Sequence, residues 1–198
     1  CTDIGLCCVF SGFLIYAGVT AEYQAEPERK PGRDNAEVSI DIHVPNGENN
    51  IELQTFPVKV SQGVAVDEFS FYAISNTRIE KCDKQTGEVI AEWTANKRIA
   101  SQKHFKHLNS GTVVGDKLYC AHSRYPFAPN DCSVEIYEIK DDTLEHIETI
   151  RMPAEHGSLT WIDQHEDGSW WMCYAVYGKS KNQQTKLIKY RYEDGQFS

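Results

Sequence analysis

Gln62-Gly63-Val64-Ala65-Val66-Asp67-Glu68-Phe69-Ser70-Phe71-Tyr72-Ala73-Ile74-Ser75 reads as a short apolar strand, an acidic turn and a second strand from Phe69 to Ser75. The same text recurs twice. Ser110-Gly111-Thr112-Val113-Val114 leads through Gly115-Asp116 to Lys117–Ser123. His156-Gly157-Ser158-Leu159-Thr160 leads through Asp167-Gly168 to a strand over Trp170–Tyr177. The leading glycines, Gly63, Gly111 and Gly157, lie 48 and 46 residues apart.

A third strand keeps its place in each unit, over Arg78–Cys82, Val134–Glu138 and Leu187–Arg191. The first two units close with a fourth, over Glu88–Trp93 and Leu144–Ile150, after the turns Asp83-Lys84-Gln85-Thr86-Gly87 and Lys140-Asp141-Asp142-Thr143. A four-stranded antiparallel unit repeating at a period in the forties is the pattern of β-propeller blades, placed here at about 60–100, 107–151 and 156–198. The expected fold is all-β, a propeller of four-stranded antiparallel blades present as a partial ring of about three. A meandering sandwich with coincident spacing is the competing reading. Closure of a ring takes about four to eight blades, so the sequence reads as an incomplete reading frame, or as a chain whose ring a second copy completes. Thr94–His104 reads as a loop or one short helical turn between units.

The chain has 198 residues, with 20 Lys and Arg against 29 Asp and Glu, a formal net charge of −9. That balance argues against nucleic acid and against an anionic membrane surface, both of which require a basic face. With 40% hydrophobic and 25% charged residues, it has enough apolar material to build a core.

The first residue is Cys1, not Met. Ile4–Ala21 carries no charge and ends in Val19-Thr20-Ala21, as a secretory signal over 1–21 would, with its basic start missing. About 18 apolar residues also suffice for an uncleaved anchor, the one membrane association the sequence offers. Either way the expected location is secreted or periplasmic. Residues 22–37 are charged, contain Pro and Gly, and read as a flexible linker. Val38–Val44 alternates as a half-buried strand does, and residues 38–198 are assigned to the propeller.

Cys82, Cys120, Cys132 and Cys173 remain after the leader. Small buried thiols are the expected state, with Cys120–Cys132 the best local candidate for a disulfide. There is no CxxC pair, no GxSxG, no HExxH, no GxGxxG and no EF-hand loop. Gly178-Lys179-Ser180 is a near miss of a phosphate loop, lacking both the upstream glycine and a following helix.

In a propeller the innermost strands line a central channel, so residues entering them, and those between second and third strands, face one mouth. His107, His122 and His156 occupy such points and are the candidate acid/base residues; an imidazole can also ligate a divalent metal. The competing role for each is a hydrogen bond that knits one blade to the next. Asn109, Ser123, Arg124, Tyr125, Ser158 and Trp161 are the candidate ligand-binding residues. Arg124 can pair with a carboxylate or form a surface salt bridge. The long connection 124–131 carries Tyr125-Pro126-Phe127 and Pro129, which can wall a pocket. Trp170 and Trp171 are adjacent in a strand, so at least one belongs to the core. His104 lies three residues from His107, which places them on opposite faces of an extended chain, and it is not assigned to the site. His43, His146 and His165 are expected to be solvated.

His107-Leu108-Asn109-Ser110-Gly111, Leu118–Pro126 and Gly157–Asp163 resemble segments of exported, largely uncharacterised bacterial β-propeller proteins, some labelled cycloisomerase by distant similarity to muconate-lactonising propellers. The resemblance covers about residues 60–198. It implies an exported propeller and, as one expectation, a lyase, lactonase or isomerase acting on a small acidic or carbohydrate-derived molecule; it assigns no catalytic residue. The alternative from another class is a non-catalytic propeller that binds a protein or glycan through aromatic loops.

Overall fold

The computed structural model describes residues 55–178 and 181–198. The expected leader, linker, strand 38–44 and Lys179-Ser180 lie outside them.

The described chain is all-β, with four-stranded antiparallel sheets in series. In the first sheet β1 (Gly63–Val66), β2 (Ser70–Ser75), β3 (Arg78–Asp83) and β4 (Val89–Thr94) pair in chain order. In the second, β5 (His107–Val114), β6 (Lys117–Ser123), β7 (Cys132–Ile139) and β8 (Leu144–Met152) do the same. In the third, β9 (Ser158–Gln164), β10 (Trp170–Ala175) and β11 (Lys186–Tyr190) form three strands. A hairpin of β12 (Tyr192–Glu193) and β13 (Gln196–Phe197) follows. Apart from three single turns of 3₁₀ helix, one of them at Ala100–Gln102 in the first connector, no helix occurs among the described residues. None is long and apolar enough to cross a membrane.

Local chemistry explains the turns. Asp67 accepts the backbone N–H groups of Phe69 (2.8 Å) and Ser70 (2.6 Å) on Oδ1, and the Tyr72 hydroxyl (2.6 Å) on Oδ2, which bends β1 back onto β2. Asp83 repeats the device, accepting from Gln85 and Thr86 at 2.8 Å each.

Strand alternation then assigns the faces. On β6, Leu118 and Cys120 pack toward the first sheet, where Tyr72, Ile74, Ile79, Trp93 and Phe105 complete one core. Tyr119 and Ala121 turn to the third sheet and join Leu159, Ile162, Trp170, Met172 and Tyr174 in a second. The middle sheet is therefore buried on both faces. Lys81 crosses from the first sheet to the second, where its Nζ donates to the carbonyls of Lys140 (2.8 Å) and Asp141 (3.0 Å).

The leading strands β1, β5 and β9 are neighbours in space. Gly63 is required there, because a Cβ on it would sit 2.8 Å from Ser110 Cα and 3.1 Å from the Asn109 carbonyl. Gly157 has φ +116°, and a Cβ would meet the Ala175 carbonyl at 2.6 Å. Two of the repeated glycines thus have steric causes.

The expectations of free thiols and of one core tryptophan hold, and the disulfide candidate does not. All four cysteines in the described residues are free thiols, and the Cys120–Cys132 pairing fails because the two face different cores. After β11, Tyr192 and Phe197 pair in the hairpin and pack on Trp170. Of the adjacent tryptophans, Trp170 is core and Trp171 lies half-buried under Lys189.

Candidate functional site

The long connection between β6 and β7 is closed by backbone hydrogen bonds from Arg124 N–H to the Asp131 carbonyl (3.0 Å) and from Phe127 N–H to the Arg124 carbonyl (2.8 Å). Arg124 Nη1 reaches Asp131 Oδ2 at 3.3 Å, while its Nε is buried with no protein partner. The end of this loop is pinned to the start of β9. Asn130 Nδ2 donates to Ser158 Oγ (2.8 Å), and the Cys132 thiol lies 2.9 Å from the Gly157 carbonyl. Asn109 joins at the same place from β5, giving its amide to the carbonyls of Leu159 (2.8 Å) and His107 (3.3 Å). A bulge at Asn109-Ser110 turns this side chain toward β9.

Polar atoms are left over around this junction. Ser123 Oγ, Asn130 Oδ1 and Ser110 Oγ are buried without protein partners, as is Arg124 Nε. On the outside, Tyr125 and Tyr177 meet at 4.4 Å between ring centroids, 40% and 47% exposed. Lys106 Nζ lies 5.8 Å over the ring of exposed Phe127. His107, at the start of β5, is half-buried, and that burial pushes its pKa below the usual imidazole value.

Asn109, Arg124, Tyr125 and Ser158 therefore share one locality, with Ser123 at the base of the loop and His107 opposite it in register. His107 and His122 lie on paired strands close enough for their charges to interact, whereas His156 shares no hydrogen bond or ring contact with either. His156 ends a 3₁₀ turn, with its ring 5.3 Å from Tyr174 and Lys186 Nζ 3.5 Å from Nδ1. Trp161 pairs with Cys173 on the face of the third sheet opposite its core. Asn109 and Ser158 spend their polar atoms on tying strands together. Among the described residues no group of three or more His, Cys, Asp or Glu has the geometry to hold a metal ion.

His122 is fully buried and turned toward the first sheet. It belongs to a network centred on Glu135, which sequence reasoning did not find. Glu135 Oε1 accepts from His104 Nε2 (2.8 Å) and Ser133 Oγ (2.5 Å). Its Oε2 accepts from His146 Nε2 (2.8 Å) and Thr149 Oγ1 (2.6 Å). Burial alone would raise the pKa of this carboxyl, but the hydrogen bonds from His104, His146, Ser133 and Thr149 outweigh it and hold Glu135 well below the usual carboxylate range. His104 Nδ1 faces the Ser101 carbonyl at 2.8 Å, so both its ring nitrogens meet oxygen atoms.

His122 behaves differently. Its Nε2 accepts the Lys106 backbone N–H (3.1 Å), so the proton sits on Nδ1, which donates to Ser133 Oγ (2.9 Å). Burial pushes its pKa down to about 4; the Glu135 charge opposes this, and His104, Arg151 and His107 add to it. The neutral ring is therefore the form present near neutral pH.

His146 is tucked under the second sheet at 14% side-chain exposure, against the expectation of a solvated residue, and His104 is 13% exposed. The signal available in sequence was Glu135 itself, a carboxylate within the apolar run Val134-Glu135-Ile136-Tyr137 on a central strand.

A groove of about 640 Å³ lies at Asp167, Lys189, Arg191 and Tyr192 and contains none of the sequence-assigned residues. No protein-family model matches the chain, and no curated protein matches it. Among solved structures, the crystal structure of the computationally designed Ika4 protein is similar at 9% identity and a TM-score of 0.46, over 77% of this chain and 78% of that one.

Proposed function

We propose that the serial sheets are consecutive blades of a β-propeller, and that the protein is a binding module for a carboxylate-bearing sugar or similar small acidic molecule beside the loop 124–131. One observation carries the reading. Tyr125 of the loop meets Tyr177 from the β10–β11 connection, both half-exposed with their rings tilted at 41°, and Tyr125 directly follows an arginine whose buried Nε has no protein partner. Aromatic faces stack on the apolar faces of sugar rings, and guanidinium groups pair with carboxylates. The placement of His156 against Tyr174 and Lys186, and of His122 within the Glu135 network, favours binding over a three-histidine reaction centre. Titration with oligogalacturonate, followed by protein NMR shifts, tests it. Binding that weakens at least about tenfold in Tyr125→Ala and in Arg124→Ala, a loss of about 1.4 kcal/mol, supports the reading. No binding, or binding indifferent to both changes, contradicts it.

A second reading, an exported lyase, lactonase or cycloisomerase-like enzyme, is favoured by His107. This half-buried imidazole at the same locality is kept in its base form by desolvation. Turnover of an acidic sugar or lactone that disappears in His107→Gln while binding persists would select it.

A further inference from the structure

We propose that His122 is a positioning residue that fixes the ligand-binding loop through the Lys106 backbone, and that protonation of its Nε2 releases that hold. The relay is continuous. Glu135 accepts from Ser133, Ser133 accepts from His122 Nδ1, and His122 Nε2 accepts from the Lys106 N–H. The Lys106 side chain in turn lies over Phe127 of the loop, and Lys106 directly precedes His107.

The two ends of the ring respond unequally to a proton. Nδ1 already donates to Ser133, so that bond survives protonation. Nε2 would become a donor facing the Lys106 N–H, donor against donor, and that bond must break. The connector therefore lets go while the Glu135 side stays assembled.

The groups facing His122 are Glu135 and Ser133 on β7, His104 and the Phe105 ring on the connector, His107 on β5 and Arg151 on β8. Glu135 alone favours the charged ring. Its charge is already shared among four donors, whereas burial first, and then His104, Arg151 and His107, oppose protonation. The neutral, accepting form consequently holds through the neutral range and the release belongs to acid. The inference concerns the protein's own groups and stands whatever ligand the loop takes.

Histidine ring and backbone amide NMR on the full chain between pH 7 and pH 3.5 tests it. The expected result is an Nδ1–H tautomer for His122 at pH 7. The Lys106 amide shift should follow the His122 ring with one midpoint, and Lys106 exchange protection should fall about tenfold one pH unit below that midpoint, while β10 amides stay protected. An Nε2–H tautomer, a Lys106 amide that does not follow the ring, or Lys106 protection lost only with the whole fold would overturn it. His122→Gln supplies a non-titrating acceptor and should keep Lys106 protected without the pH response; a response equal to that of wild type refutes the proposal. If His122→Gln does not fold, the wild-type titration alone decides.

Discussion

The two faces of the middle sheet are buried by opposite means. Toward the first sheet the core contains Trp93, Phe105 and Tyr137, packed at 4.8 Å edge-to-face, and within reach of them an ionised carboxylate with three histidines. Toward the third sheet Tyr119, Trp170, Tyr192 and Phe197 form a mutual aromatic cluster, and the buried polar contacts beside it join neutral groups: the Tyr174 and Tyr190 hydroxyls at 3.1 Å and the Asn109 amide to the Leu159 carbonyl at 2.8 Å. The second interface is specified by shape, and many packings of similar volume would satisfy it. The first is specified by hydrogen bonds that tolerate one register and one set of protonation states, because a buried carboxylate missing a partner is costly. Two interfaces in one repeat therefore differ in how sharply they are defined, and in what weakens them.

Replacing Glu135 with Ala should produce the largest effect, a loss of about 3–5 kcal/mol in chemical denaturation, because His104, His146, Ser133 and Thr149 lose their common acceptor. Trp170→Ala should cost a similar 3–5 kcal/mol or so but leave the acid sensitivity of the protein unchanged, since the rings it packs on, Tyr119, Tyr192 and Phe197, do not titrate in acid. Equal acid sensitivity in Glu135→Ala and wild type would erase the distinction between the interfaces.

Acid should sharpen it. His122 folds with its pKa depressed to about 4 from an ordinary 6.5, so its contribution is complete above pH 6.5 and is lost as pH falls toward 4, on the order of 3 kcal/mol in all. Glu135 is also depressed, so its contribution is present above the ordinary carboxylate pKa and is lost below it, adding a further decline under about pH 4. Denaturation midpoints from pH 7 to pH 3.5 measure both. Alkali should not discriminate. Burial raises the Tyr72, Tyr137 and Tyr174 hydroxyls alike, so both interfaces lose stability above about pH 10. The smallest effect is expected from Tyr190→Phe, about 1 kcal/mol from the lost Tyr174 hydrogen bond, with no pH signature below neutrality.

Period and turn chemistry made the strands legible. β6 spans Lys117–Ser123 as its alternation and the Gly115-Asp116 turn indicate, and the 3₁₀ turn at Ala100–Gln102 falls inside the segment read as loop or single helical turn. The grouping of side chains was less legible, because it depends on register and on connectors without periodicity. His104 was set aside on an extended-chain argument, yet it lies on a connector that folds back to Glu135. His146 sits in an outer strand, but the register Tyr137↔His146 and the Trp93 ring beside it enclose its side chain. The loop 124–131 could be identified from length and composition, and Arg124 and Tyr125 with it. Its attachment to Ser158 runs through Asn130, whose side chain carries no sequence signal.

Native-state hydrogen exchange at pH 7 and pH 4.5, corrected for intrinsic rates, compares the two interfaces most directly. The His122 link between the Glu135 network and the connector predicts that the Lys106 amide loses protection in acid while amides of β7 and β10 keep theirs. Uniform loss across all three sheets, or none at either interface, would contradict it.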